Sequence, residues 1–366
     1  MSTKTPALKK IALVYDRVNK WGGAERVLLA LHDIFPDAPL YTSVYNKKNA
    51  KWAKVFPRIY TSFLQNIPFA KSNHEFLAPL MPFAFESFNF DDYDLVISVT
   101  SEAAKGVKTK PSTYHICYCL TPTRYLWSHN EEYFENKILK FISKPILTIL
   151  KKWDIKAAGR PNLMISISTE VQKRINKYYN RKSEIIFPPV NIKTFYVNMT
   201  RKGKYFLIVS RLVGYKKVAL AIEAFNKLGY PLVIVGIGRE EARLKSISNK
   251  NIKFTGQISD KRLHEYYKNA KALIMPQEED FGIVAVESQA RGIPVIAYGK
   301  GGVIDTVIPN TTGIFFEKQT AESLSSAVLK FEKMKFNNKK LIKNARMFSQ
   351  TEFKRQFIDL VQKMLE

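Results

Sequence analysis

Cysteine is nearly absent from this chain: 366 residues include two. Cys117 and Cys119 stand one residue apart in YHICYCL, and on a strand that spacing points them to opposite faces, so they cannot bridge to each other. A reducing compartment is the expectation. No uninterrupted apolar run approaches the roughly 18 residues of a membrane span. The opening MSTKTPALKKIALVYD offers only IALVY before Asp16, too short for the core of a signal peptide. The chain reads as cytoplasmic, free or held on a membrane surface. No histidine and cysteine set has zinc spacing, and no low-complexity segment or tandem repeat is present. Gly236 and Gly238 form a lone G-x-G without the rest of a redox-cofactor fingerprint.

Acidic residues are scarce too. There are 32 Asp plus Glu against 58 Lys plus Arg, a formal net charge of +26. That excess favours anionic partners, whether nucleotides, phospholipid surfaces or nucleic acid, and does not choose among them; a merely solvated basic surface gives the same count. A nucleic-acid-binding protein would cluster basic and aromatic residues on a recognisable module, and the sequence has none.

What is present is ample apolar material, 46% of the residues, in a chain longer than one core usually organises. KIALVY (10–15) reads as a buried parallel strand, followed by the loop DRVNKWGG and the helix AERVLLALHDIF. The same order returns with the strand KYFLIVS, the basic loop RLVGYKK and the helix VALAIEAFNKLG. DLVISVT, YHICYCL and LMISIS supply strands between them; YPLVIVGIG, NIKFTG, KALIMP and IPVIAYG follow. Both halves read as doubly wound α/β, with IIFPPVNIKTFYVNMTRKG as connector because adjacent prolines oppose a helix. The expected domains are residues 1–195 and 196–345. Residues 346–366, part of one helical stretch from ARMFSQ onward, are expected to pack back on the first domain.

Chemistry concentrates in QEEDFGIVAVESQARGIPV (277–295). A helix starting near Gly282 would place the amides of Phe281, Gly282 and Ile283 at its N-terminus, where anions and hydroxyls are held. Glu279 then lies just outside the helix and Glu287 within it. At about 1.5 Å rise per residue, eight positions span roughly 12 Å, comparable with the distance from sugar to ribose in a nucleotide-sugar. The alternative is an acidic cap at Glu279 and a locally bonded helix residue at Glu287. Arg211 and Lys216 stand between strand and helix in the second half, where this architecture receives phosphates.

Taken together, SRLVGYKK (210–217), GIG (236–238), FTGQISD (254–260) and the two glutamates resemble the retaining GT-B glycosyltransferases of family 4. WGGAERV (21–27), AKGV (104–107), HICYCLTPTRYLW (115–127), WDIKAAGR (153–160) and PPVN (188–191) resemble its mannosyltransferase-like branch of bacterial and archaeal surface-polysaccharide enzymes. The resemblance covers nearly the whole chain. It implies two Rossmann-like domains facing across a cleft that takes a nucleotide-diphosphate sugar, most plausibly GDP-mannose, with a UDP-sugar as alternative. Glu279 and the amides of Phe281 and Gly282 would hold the transferred sugar, and Glu287 the ribose. Arg211 and Lys216 would neutralise the diphosphate, and Gln257 and Ile258 would meet the base. Gly22 and Gly23 would admit the phosphates to the first domain's backbone. The leaving diphosphate accepts the acceptor's proton, so no metal, cofactor or protein base is implied. A glycan or lipid-linked saccharide is the implied acceptor, with Thr121, Arg124 and Tyr125 near it.

Leu120 replaces a histidine that many relatives carry, Asp305 a common glutamate, and Asn191 a common aspartate. His115 and His129 match no family position and read as structural. Asp92 and Asp94 imitate a metal-binding Asp-x-Asp and read as an acidic turn before a strand. EEYFENKILKFISKPILTILKKWDIKAAGR (131–160) mixes apolar residues with lysines. It suits an anionic membrane surface, or else a helical pair broken at Pro145.

Overall fold

The computed structural model describes residues 10–68, 70–71, 74–128, 137–192 and 203–365. Contacts divide the chain into two units, one of Met1–Pro189 with Phe353–Glu366 and the other of Val190–Glu352.

The first unit is built on seven strands: β1 (Ile11–Tyr15), β2 (Leu40–Thr42), β3 (Ile59–Thr61), β4 (Leu95–Thr100), β5 (Tyr114–Cys119), β6 (Leu163–Ser166) and β7 (Glu184–Ile185). Their order is β3-β2-β1-β4-β5-β6-β7, and every pairing is parallel. Winding runs outward from β1 through β2 and β3, then restarts at β4 on the other side. The switch point of this sheet therefore lies between β1 and β4. All six residues of β4 are buried, which is why LVISVT carries an unbroken apolar run and not an alternating one.

The second unit repeats the plan with β8 (Tyr205–Val209), β9 (Leu232–Val235), β10 (Ile252–Phe254), β11 (Ala270–Met275), β12 (Val295–Tyr298) and β13 (Gly313–Phe316) in the order β10-β9-β8-β11-β12-β13, all parallel. Its switch point lies between β8 and β11. Side chains alternate between two apolar layers. Phe206, Ile208, Ile234 and Ile274 face one layer with Phe225 and Val328, and Leu207, Val233, Leu273 and Met275 face the other with Ala285 and Tyr267.

The strands expected from apolar runs are present, most trimmed by a residue or two at an end; YPLVIVGIG keeps only Leu232–Val235, and β11 begins one residue before KALIMP. Four others, β2, β3, β7 and β13, were not anticipated, since two to four residues are too few to show a period. The C-terminal stretch is two helices, Asn338–Arg346 and Gln350–Leu365, parted at Met347–Ser349. The second belongs to the first unit, where Phe353 meets the Tyr118 ring, Phe357 meets Phe35, and Lys354 pairs with Asp33 at 2.9 Å.

Pro145 does not break its segment. One helix runs from Lys137 to Ala158 with the proline inside. An interior proline costs the bond to the carbonyl four residues back, but the burial of Leu150, Asp154, Ala157 and Ala158 anchors the helix beyond it.

His115 lies fully buried on β5, its Nε2 2.8 Å from Ser98 Oγ. Burial pushes its pKa down to about 3 from 6.5. Between those two values the unfolded chain binds a proton that the folded chain refuses, so stability falls as pH drops from about 6.5 toward 3. His115→Asn should flatten that limb by up to about 1.4 kcal/mol per pH unit, measured as urea-unfolding free energy against pH.

Candidate functional site

In the second unit two of the expected side chains meet across the switch point. Lys216 follows β8 on a single 3-10 turn, Gly214–Lys216, and Glu279 follows β11, the strand hydrogen-bonded to β8. Lys216 Nζ lies 2.5 Å from Glu279 Oε1, both side chains mostly buried. Gln277 Nε2 donates to the same oxygen at 2.7 Å. The loop is held from behind, where Gly302 N donates to Glu279 O at 2.7 Å.

Helix Ile283–Ala290 starts directly after this loop with Gly282 as its N-cap. Gly282 has φ +88°, a region costly for residues with a Cβ. The chain can thus turn sharply and aim the first amides of the helix at the Glu279 loop. Phe281 itself is core, its ring 5.6 Å from that of Phe348, so what it can offer the site is its backbone. Ile283 is half-buried.

Arg211 is exposed and does not join the Lys216–Glu279 pair; its Nη2 donates to Tyr215 OH. The Tyr215 ring lies between the cations, 5.9 Å from Arg211 Cζ and 5.2 Å from Lys216 Nζ. Glu287 is half-buried one turn into the helix, and its carbonyl accepts from Arg291 Nη1 at 2.7 Å. Gln257 is exposed beyond β10, while Ile258 packs on the Leu207 layer. Gly236, read from sequence as part of a weak motif, has a structural reason: a Cβ there would lie 1.8 Å from Ser210 O, beside the Arg211 loop. Asp305 is half-buried in the helix Val303–Thr306.

The first unit carries a cation and a carboxylate at the same place in its own sheet. Arg17 follows β1 and Glu102 follows β4, with Nη2 to Oε2 at 2.9 Å. Asp16, 1% exposed, fixes this edge by accepting from Thr100 Oγ1, Ser101 N, Ala103 N and Ala104 N at 2.7–2.9 Å. Burial raises the Glu102 pKa, opposed by Arg17.

Tyr125 OH donates to Glu102 Oε1 at 3.3 Å, so one expected acceptor-side residue joins this pair. Arg124 and Tyr125 lie on the short helix Arg124–Trp127. Thr121 is buried, and its hydroxyl has no hydrogen-bond partner among the described residues. Gly22 precedes the helix Gly23–Ile34 in extended backbone, φ −171°, and nothing lies within 4 Å of a Cβ built at Gly23. Gly23 supplies open space, whereas a Cβ at Gly22 would crowd Glu25 Oε2 at 3.1 Å. Leu120 is half-buried at the end of β5.

Sequence reasoning missed the group on which that short helix rests. Lys105 Nζ pairs with Asp154 Oδ1 at 2.6 Å, each side chain 1% exposed. Thr123 Oγ1 donates to Oδ1 at 2.9 Å, and Trp127 Nε1 and Tyr179 OH donate to Oδ2 at 2.7 Å. Burial alone would lower the lysine's pKa; the Asp154 charge outweighs it and the net shift is upward. The segments AKGV, CLTPTRYLW and WDIKAAGR therefore converge on one carboxylate. The only signal for this was the presence of charged residues in otherwise apolar segments.

Asp94 is structural, its carboxylate accepting Lys10 N at 3.0 Å. Both cysteines are buried and free, and burial pushes the Cys117 thiol up to about 12. His129 and residues 131–136 lie outside the described residues.

With this geometry in place, comparisons show what the chain is similar to. Residues 194–348, most of the second unit, match the family Glycosyl transferases group 1. The chain has the GT-B fold. Sucrose-phosphate synthase of Thermosynechococcus elongatus superposes with TM-score 0.74 at 17% identity, covering 98% of this chain and 99% of that one. Anabaena HepE in complex with UDP superposes with TM-score 0.69 at 17% identity, covering 97% and 100%.

Among curated relatives, an uncharacterised glycosyltransferase of Methanocaldococcus jannaschii is 26% identical over 53% of this chain and 56% of its own length. A GDP-mannose-dependent monoacylated α-(1-6)-phosphatidylinositol monomannoside mannosyltransferase of Corynebacterium glutamicum is 34% identical over 27% of this chain and 28% of its own length. The chain thus spans about half or less of the length of the curated relatives it matches.

Removing one partner of a buried ion pair strands the other. Lys105→Met should destabilise the chain by about 3–5 kcal/mol, while Lys105→Met with Asp154→Leu should cost less than the two single changes summed. Urea unfolding of the four proteins measures both.

Proposed function

We propose that the protein is a nucleotide-sugar-dependent glycosyltransferase that moves a hexose to a glycan or lipid-linked saccharide with retention at the anomeric carbon. The observation that carries the reading is the Lys216–Glu279 pair at the switch point of β8 and β11, beside the start of a helix. An ammonium and a ring of backbone amides there suit a diphosphate, and a carboxylate beside them suits sugar hydroxyls.

Lys216 and the exposed Arg211 stabilise the negative charge that grows on the diphosphate as the sugar–phosphate bond breaks, more strongly than in the ground state. Glu279 binds the sugar and balances charge on the ring. Glu287, farther along the same helix, takes the ribose hydroxyls, and Gln257 and Ile258 offer backbone groups to the base. The departing phosphate oxygen takes the acceptor's proton, so the step asks for no metal and no protein base. GDP-mannose is the donor we favour, supported by the mannosyltransferase relative. A UDP-sugar is the alternative, supported by the UDP complex of the Anabaena structure.

A panel of GDP- and UDP-sugars scored for thermal stabilisation and hydrolysis, with and without EDTA, tests the donor. Lys216→Ala should lower kcat by roughly 100-fold, the scale of one lost charge-stabilising group, and leave nucleotide affinity within a few-fold. Glu287→Ala should instead weaken nucleoside diphosphate binding about tenfold, the worth of a single charge-assisted hydrogen bond. Silence at both positions rejects the site.

An attachment to anionic membrane follows from the same reading, because a lipid-linked acceptor is met at a bilayer. On helix Lys137–Ala158, Ile146 and Ile149 are exposed, flanked by exposed Lys144, Lys152 and Lys156. Phe83 is 65% exposed and lies next to Met81 and Pro82, which line a small cavity with Leu150 and Trp153 of that helix. Apolar side chains ringed by lysines suit an anionic interface. No helix among the described residues is long and apolar enough to cross a membrane. Vesicles containing anionic lipid should sediment the protein at low salt, and Ile149→Glu with Phe83→Glu should release it; equal sedimentation with neutral vesicles would count against a charge-assisted surface.

A further inference from the structure

The chain has four tryptophans, and three have their indole N–H committed. Trp52 Nε1 donates to Lys20 O at 2.8 Å, Trp127 Nε1 to Asp154 at 2.7 Å and Trp153 Nε1 to Glu86 at 2.7 Å. Trp21 is different. It is 54% exposed, and its ring meets that of Trp52 edge-on, centroids 6.3 Å apart and planes at 61°. Its ring face and N–H are therefore open to solvent and to whatever binds at that edge.

Its surroundings are packed. Trp52 is itself packed edge-on to Phe56, and Phe56 against His32. The loop leading from β1 to Trp21 is tied down where Val18 N donates to Val44 O at 2.9 Å and Asn46 N donates to Val18 O at 2.8 Å. Trp21 then leads straight into Gly22 and Gly23, where no side chain stands, on the carboxyl-end edge of the first sheet next to its switch point. That edge is where an open parallel sheet receives its ligand.

We propose that Trp21, steadied by Trp52, is the floor of a saccharide-binding subsite on the first unit that takes one pyranose ring of the acceptor. A pyranose has an apolar face of axial C–H groups and a rim of hydroxyls. The exposed indole offers it a flat apolar face, and the free N–H offers a hydroxyl its donor. An aromatic side chain has only two side-chain torsions to lose, so it holds such a ring at modest entropic cost. The proposal rests on the glycosyltransferase reading for the word acceptor, though not for the binding of a saccharide.

The test uses the full chain labelled with 15N at its indoles, the Trp21 signal being assigned by its loss in Trp21→Phe. Methyl α-mannopyranoside, methyl β-galactopyranoside, α-1,6-mannobiose and lactose are the probes. At least one should move the Trp21 signal saturably and leave the Trp127 and Trp153 signals in place. In transfer assays Trp21→Ala should raise the acceptor KM about tenfold, the weight of one aromatic contact, with the donor KM spared, and Trp21→Phe should fall between. The subsite is overturned if no probe moves the signal, if Trp21→Ala leaves the acceptor KM unchanged, or if the signal responds only to protein concentration, anionic vesicles or an oligonucleotide. Saccharide binding without any nucleotide-sugar turnover would keep the subsite and reject the glycosyltransferase reading, so the two failures are distinct.

Discussion

A parallel sheet delivers all its strand carboxyl ends to one edge, and the chemistry of this chain depends on that constraint. Residues that follow β1 and β4, or β8 and β11, are far apart in sequence and neighbours in space because the strands pair. At a switch point the helices leave in opposite directions and the edge stays open. Each unit places a cation and a carboxylate there: Arg17 with Glu102, and Lys216 with Glu279. Neither pair needs a motif of its own; each needs only a basic loop after one strand and an acid after its partner.

The two pairs are held differently. Glu102 sits deep enough for burial to dominate its protonation, with Asp16 saturating the turn behind it by four donors at 2.7–2.9 Å. Behind that edge the Lys105–Asp154 pair is enclosed, and every lone-pair direction of the carboxylate is used. Such a network adds little net stability over an apolar core but punishes any misplacement of its parts. It therefore specifies where Arg124–Trp127 lies more than it strengthens the fold. Lys216 and Glu279 keep more access to solvent than Lys105 and Asp154, and an ammonium in that position can exchange one anion for another. The fixed apparatus stands on one unit and the exchangeable charges on the other.

This division also decides what the sequence made legible. The central strands were readable because burial on both faces writes an unbroken apolar run, and Lys216 and Glu279 because a strand, a basic loop and a helix follow one another locally. β2, β3 and β7 were not, being too short to carry a period. Nor was the Lys105–Asp154 pair. Lys105 in AKGV and Asp154 in WDIKAAGR are charged residues that local pattern assigns to solvent, and only the packing of Lys137–Ala158 against the turn at Ala104–Gly106 brings them together. Pro145 misled for a related reason, since its local cost is outweighed by the burial of residues a turn or more away. Gly236 was read as half of a weak motif, when its role is to let β9's end approach Ser210.

The net charge of +26 takes on a narrower meaning once the pairs are set aside. Lys105 and Lys216 are neutralised by carboxylates within 2.6 Å, so these two add little to the long-range field, whereas Arg211 stays exposed. The surplus lies on solvated side chains such as Lys144, Lys152 and Lys156. Charges there are screened over about 8–10 Å at physiological salt and act on approach, drawing anionic solutes or surfaces toward the protein. They do not select what binds. Selection belongs to the few groups whose geometry is fixed by the sheet edges, and an excess of lysine elsewhere is compatible with nucleotide, lipid or solvent alike.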